Sequence, residues 1–258
     1  MLFLFKRGFS MELKAFFRDC PSAAIAFSGG VDSAYLLYAA IQNKADVRAY
    51  YVKSEFQPQF ELDDATRLAQ QLGANMTVLP LRVLESPEVA RNPADRCYHC
   101  KKRIFETIAR AALQDGYSVL LDGTNASDAE DDRPGMRALR ELSVLSPLRL
   151  CALTKDEIRR LSQKAGLFTW NKPAYACLAT RIPTGEGITQ EKLSATERAE
   201  DFLFSLGFTD FRVRMNGTAA RLQFPAQQLD KLLGRREEVL KELKKYYSAV
   251  LLDLEVRK

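Results

Sequence analysis

The chain reads as α/β: a doubly wound parallel sheet with a smaller α+β C-terminal domain. Two observations predict it. Up to about residue 165, short apolar runs alternate with amphipathic helical stretches, the pattern of parallel strands covered by helices on both faces. After Thr189 the style changes to helix, hairpin, helix and strand, which puts a boundary near residue 187 and divides the chain into 1–187 and 188–258.

In chain order, Met11–Arg18 is predicted helical, Ala23–Phe27 a strand, Asp32–Gln42 a helix, Val47–Val52 a strand, Glu61–Leu72 a helix and Met76–Leu81 a strand. A helix over Tyr98–Leu113 and a strand over Val119–Asp122 follow. Thr154-Lys155-Asp156-Glu157 has the form of a capping box, in which hydroxyl and carboxylate satisfy N–H groups that a helix start leaves open. It opens a helix to about Ala165. Trp170–Gly187, rich in Pro, Gly and Thr, reads as a loop. Beyond it come a helix over Gln190–Leu206 and extended runs at Phe211–Met215 and Ala219–Phe224, joined by an Asn216-Gly217 turn. A helix over Ala226–Tyr246 and a strand over Ala249–Val256 finish the pattern.

Composition excludes several chemistries. The 258 residues carry 38 Lys+Arg against 33 Asp+Glu, a net charge of +5, compatible with anionic substrates but too weak to demand nucleic acid. A single histidine rules out a three-His zinc site and an HExxH protease. No apolar run reaches the roughly 18 residues that span a bilayer. Met1–Phe5 is apolar but is followed at once by Lys6 and Arg7, the reverse of a signal peptide, and the first ten residues read as a frayed extension. Five cysteines are too few and too odd for a disulfide framework, so the expectation is a cytoplasmic protein with reduced thiols.

Ser28-Gly29-Gly30-Val31-Asp32-Ser33 lies between the first strand and a helix. Two glycines allow close backbone approach to an anion, and their N–H groups join those of the helix start in an anion-binding nest. Ser28 and Ser33 add hydroxyls. The loop has no Lys, so it is not a Walker loop. Asp32 beside a phosphate calls for a bridging divalent cation, which suggests Mg²⁺. The loop resembles the pyrophosphate loop of the N-type ATP pyrophosphatases, a resemblance that implies ATP cleaved between α and β phosphates and AMP passed to a carbonyl or carboxylate oxygen.

Cys97 and Cys100 form a CxxC where a loop enters a helix, a setting that favours thiolate. Cys177 is a third thiol, in a Pro-bracketed loop with Arg181 four residues on. A redox pair, a zinc site lacking a fourth ligand, a [4Fe–4S] cluster on three thiolates and an incidental CxxC all remain open from the residues alone. Cys20 and Cys151 read as core residues.

Taken together, SGGVDS, NPADRCYHCKKRIF, DGTNASDAEDDRPG and KPAYACLATRIPTGEGIT resemble, in order over residues 11–258, the ATP-dependent sacrificial sulfur transferases of the LarE family. The resemblance implies a PP-loop pyrophosphatase domain with a small C-terminal domain, often in homo-oligomers. It also implies adenylylation of pyridinium-3,5-biscarboxylic acid mononucleotide, whose thiocarboxylate leads to the nickel-pincer nucleotide of lactate racemase. The sulfur-donating cysteine of the family falls on Cys177. The additional CxxC points to the branch whose members hold a [4Fe–4S] cluster that delivers sulfide, which calls for a sulfide donor.

Gly123, Thr124 and Asn125 follow a strand end and are candidates for the nucleotide. Asp128, Glu130, Asp131 and Asp132 form an acidic run, with Glu130 the candidate base. Arg181 is a fixed cation suited to phosphate or carboxylate. Arg212 and Arg214, two apart on a strand, share a face and are candidates for the substrate phosphate, with Glu200 in the same pocket. The competing function is thiolation of tRNA by the same adenylation chemistry, which the modest charge and the short C-terminal segment disfavour.

Overall fold

Strand β1 (Ser22–Ala26) is built almost wholly of small residues, and its neighbours show why. In the computed structural model, which describes residues 12–128 and 134–257, β1 pairs in parallel with β2 (Asp46–Lys53) on one side and β4 (Leu120–Leu121) on the other, and β3 (Met76–Pro80) extends the sheet beyond β2. The order is β3-β2-β1-β4, as a doubly wound sheet requires. Successive residues enter opposite cores. Ala23, Ile25, Ala49 and Tyr51 pack with helices Leu13–Asp19, Val31–Gln42 and Lys155–Lys164. Ala24, Tyr50 and Val52 pack with Phe105, Ile108 and Ala112 of helix Arg96–Gln114. The alternation is the two-residue period of a strand, and helices cover both faces. Cys20 and Cys151 lie in the first of these cores, where burial pushes the Cys151 thiol up to about 11.

A second sheet is mixed. β5 (Arg212–Asn216) and β6 (Ala219–Gln223) form an antiparallel hairpin, and β7 (Val250–Leu252) runs parallel to β6. Its core is aromatic: Phe208, Phe211 and Phe224 with Leu203, Val239 and Leu243. Each such buried side chain contributes roughly 1.5–3 kcal/mol, enough for this small sheet to carry its own core.

The chain forms two compact units. The first covers the chain to Lys53, then Gln59–Leu81 and Cys100–Lys172. The second comprises Ser54–Pro58, Arg82–His99 and everything from Pro173 onward.

Most expected elements are found within a residue or two, and the capping box at Thr154 is formed in both directions. Three readings change. The hairpin loop is Gly217-Thr218, with Asn216 still paired to Ala219; only Gly217 has a positive φ, 58°, the type II′ requirement. The stretch Ala226–Tyr246 is not one helix but helices Leu229–Gly234 and Arg236–Leu243 after a short 3₁₀ turn, because Gly234 closes the first and its C-cap Arg235 leaves helical geometry. The last strand is three residues rather than eight. Short helices at Pro87–Ala90 and Pro134–Glu141 are additional to the expected elements. The reading of residues 1–10, and Glu130, Asp131 and Asp132, lie outside the described residues. No helix among the described residues is long and apolar enough to cross a membrane.

Candidate functional site

In the first unit the strand order reverses between β1 and β4, so a ligand crevice is expected beyond their carboxyl ends. The loop after β1 and the loop after β4 meet there: a Cβ on Gly123 would lie 2.8 Å from the Ser33 nitrogen. Gly29, at φ +71°, is equally constrained, since a Cβ would stand 2.9 Å from that of Ala65. Between them the loop is tied into a cradle. The Ser28 N–H donates to Ser33 Oγ at 3.3 Å, the Gly30 N–H donates to Ser28 Oγ at 3.3 Å, and Ser33 Oγ donates to the Gly30 carbonyl at 3.2 Å. Gly30 caps helix Val31–Gln42 without any side chain on its first N–H groups. Such a helix start, fed by a glycine loop, favours a phosphate.

Asp32, on the first turn, is met by Lys155 Nζ at 2.6 Å and by Asn125 Nδ2 at 3.3 Å. An ammonium therefore stands where the sequence calls for a cation. Mg²⁺ takes one or two carboxylates plus phosphate oxygens, and Asp32 fits that role. Thr124 donates to the buried Asp122, which also accepts from Ser146 Oγ at 2.6 Å. Asn125 Oδ1 accepts from the Ser127 N–H at 2.8 Å. Both side chains brace the loop from within.

In the second unit Cys177 precedes a 3₁₀ turn, Leu178–Arg181, whose start is held by the Leu178 N–H on the Phe56 carbonyl at 2.9 Å. Guanidinium groups surround this loop. Arg181, 1% exposed, grips Glu200 with Nε at 2.7 Å and Nη2 at 3.1 Å, and its Nη1 reaches the Ala176 carbonyl at 3.0 Å. Arg212 Nη2 donates to the Ala174 carbonyl at 2.5 Å and Arg214 Nη1 to the Thr180 carbonyl at 2.6 Å. Tyr175 lies under both Arg181 and Arg212, with its hydroxyl 2.5 Å from Glu200.

Asp210 adds a second carboxylate to this ring, 3.8 Å from Arg212 Nη1 and 2.9 Å from Arg257 Nε. Burial and the neighbouring Arg181 and Arg257 push Arg212 down to about 10, and burial with the same neighbours and Arg221 lowers Arg214. Burial would lower Arg181 as well, but the Glu200 hydrogen bonds and charge outweigh it and hold it above its ordinary value. An anion near Arg212 and Arg214 would relieve the repulsion. Burial also raises the Cys177 thiol and Cys97 adds to the rise, while Arg96 and Arg181 oppose it.

Comparison with known proteins gives the family of this chain. The family described as queuosine biosynthesis protein QueC matches residues 22–92, the stretch holding the first three strands and the phosphate loop. An uncharacterized protein of Synechocystis sp. is 38% identical over 86% of this chain and 83% of its own. The pyridinium-3,5-bisthiocarboxylic acid mononucleotide synthase of Lactiplantibacillus plantarum is 33% identical over 94% of this chain and 89% of its own. This chain belongs to the LarE family. It is an enzyme, an ATP-dependent sulfur transferase. The tRNA-specific 2-thiouridylase MnmA of Thermotoga neapolitana is more distant, 25% identical over 68% of this chain and 63% of its own.

For a LarE-family enzyme the informative residues fall into two sets. Ser28, Gly29, Gly30, Asp32, Ser33, Gly123, Thr124 and Asn125 are gathered in the first unit; Cys97, Cys177, Arg181, Glu200, Arg212 and Arg214 belong to the second. Cys100 follows Cys97 by one helical turn. Arg181 is expected from the sequence as a fixed cation suited to a phosphate or carboxylate; the structure places it on the carboxylate of Glu200 and on the Ala176 carbonyl of the Cys177 loop. Lys155, Arg96 and Tyr175 escape sequence reasoning. Lys155 follows the capping threonine and Tyr175 lies two residues before Cys177, which are the signals that mark them. The donor chemistry of three thiols suits an iron–sulfur cluster. Among the described residues no group of three His, Cys, Asp or Glu side chains stands together as a metal site.

Proposed function

We propose that this enzyme adenylylates a carboxylate of pyridinium-3,5-biscarboxylic acid mononucleotide and converts it to the thiocarboxylate, in the synthesis of the nickel-pincer nucleotide. The observation that carries this reading is the set of guanidiniums, Arg181, Arg212 and Arg214, that hold the Cys177 loop, the first two buried, in a chain 33% identical to the synthase. A mononucleotide phosphate is the anion that Arg212 and Arg214 would take.

In the first step a carboxylate oxygen attacks the α-phosphorus of ATP and pyrophosphate leaves. The Ser28–Ser33 loop holds the leaving group through backbone N–H groups and hydroxyls. Asp32 would hold Mg²⁺, which neutralises phosphate charge when bound. In the second step the Cys177 thiolate attacks the acyl carbon and AMP leaves, forming a thioester. Loss of the Cys177 α-proton to a base then breaks the Cβ–S bond. The sulfur leaves on the substrate as thiocarboxylate, with dehydroalanine at position 177. Glu130 is the sequence-based candidate for a base.

Cluster delivery through Cys97, Cys100 and Cys177, reloaded by a sulfide donor, is the second reading, favoured by the CxxC. The chain is further proposed to act as a cytoplasmic homo-oligomer, with residues 188–258 as a substrate and assembly domain.

Incubation with ATP, Mg²⁺ and the biscarboxylate nucleotide should release pyrophosphate and yield a sulfur-bearing product, and Cys177→Ser should abolish that product. Intact mass after one turnover should show the loss of one H₂S from the chain. An unchanged mass with product formed selects the cluster reading. Thiolated tRNA in place of the small product would refute the proposal.

A further inference from the structure

Segment Arg82–His99 and the cysteine loop belong to one compact unit, and the Arg96 side chain reaches from one to the other. Helix Arg96–Gln114 begins with Arg96, which is 8% exposed. Its Nη1 donates to Asn92 Oδ1 at 2.6 Å and to the Ala179 carbonyl at 3.1 Å, and its Nη2 faces Cys97 Sγ at 3.5 Å. Ala179 is in the turn that Cys177 caps. The guanidinium thus reaches from the Cys97 sulfur to the turn bearing Cys177.

The anchor is itself fixed. Asn92 is fully buried at φ 56°, a left-handed conformation that Asn adopts more readily than most residues. Its Nδ2 donates to the Pro183 carbonyl at 2.8 Å and the Glu186 carbonyl at 3.1 Å, and its own carbonyl accepts from the Gly185 N–H at 2.8 Å. A planar fork satisfies Asn92, Ala179 and Cys97 at once; an ammonium on a flexible stem cannot.

We propose that Arg96 is a positioning residue for sulfur transfer, holding the Cys97 sulfur at a set distance from the turn that carries Cys177. Its chemistry rests on the function proposed above, but the geometry is tested without turnover.

In the full chain, dibromobimane should bridge Cys97 to Cys177, read as a linked peptide by mass spectrometry, with single-thiol alkylation as the control for access. Arg96→Met should lower the bridged yield about tenfold, the change expected for one charge-assisted hydrogen bond, and Arg96→Lys should fall between it and the parent chain. Should Arg96→Met not fold, Arg96→Lys decides alone. Equal bridging in the parent chain and the folded variants would overturn the proposal. In a single turnover, Arg96→Lys should slow thiocarboxylate formation while ATP affinity holds. A matched fall in pyrophosphate release and product would reduce Arg96 to a structural residue and also overturn it. If the parent chain makes no thiocarboxylate yet bridging still depends on Arg96, the proposed function fails and the positioning role stands.

Discussion

Around Ser28–Ser33 the donors are main-chain N–H groups and small hydroxyls, and the charges beside them, Asp32 and Lys155, are both partly open to solvent. Around Cys177 the donors are guanidiniums, and Arg96, Arg181 and Arg212 are each at least nine-tenths buried. The first arrangement needs only a few consecutive residues with the right backbone freedom. The second needs charges from distant segments to find partners inside the protein, where an uncompensated ion is costly. The phosphate cradle is therefore expected to fail locally when altered, and the cysteine ring to fail as a unit.

Arg181→Met offers the hardest trial of that contrast. It leaves Glu200, 1% exposed, without its bidentate partner, and removing one member of a buried pair costs about 3–5 kcal/mol. Thermal unfolding should fall sharply, and Glu200→Gln should do less harm because a neutral amide can still bond. If Arg181→Met unfolded at the parent temperature, the ring would not be a cooperative unit.

Gly29→Ala tests the other side. The left-handed φ of +71° costs a side chain about 1–2 kcal/mol, and the new methyl meets Ala65 as well. ATP binding, followed by calorimetry, should weaken more than the whole-chain melting temperature drops. A variant that binds ATP normally would remove the close-approach argument.

The smallest effect is expected at Lys155. Its pair with Asp32 is part-exposed, and such pairs contribute roughly 0.2–1 kcal/mol. Lys155→Met should barely change unfolding but should lower the Mg²⁺ concentration that gives half-maximal pyrophosphate release, since Asp32 is then freed from a competing ammonium. An unaltered Mg²⁺ requirement would show that the ammonium takes no part in the cradle.

The phosphate loop was legible because its chemistry is local: glycines, hydroxyls and a helix start follow one another in six residues. So was the capping box at Thr154, for the same reason. Lys155 was hidden, because its meeting with Asp32 spans 123 positions and neither residue signals the other. Arg181 and Glu200 looked like candidate ligand groups, and only the packing reveals that each is the other's partner. The break at Gly234 falls inside an apolar helical period that continues on both sides of it, so the local pattern does not mark it.

The order of strands and helices, the anion nest and the three thiols at two bends follow from neighbouring residues, through backbone freedom and the period of apolar side chains. Which segments make up each compact unit, which guanidinium meets which carbonyl, and how Arg96 comes to face a sulfur were settled by tertiary packing. A buried charge is stable only where a partner stands, and partners brought from far along the chain leave no mark in the local pattern.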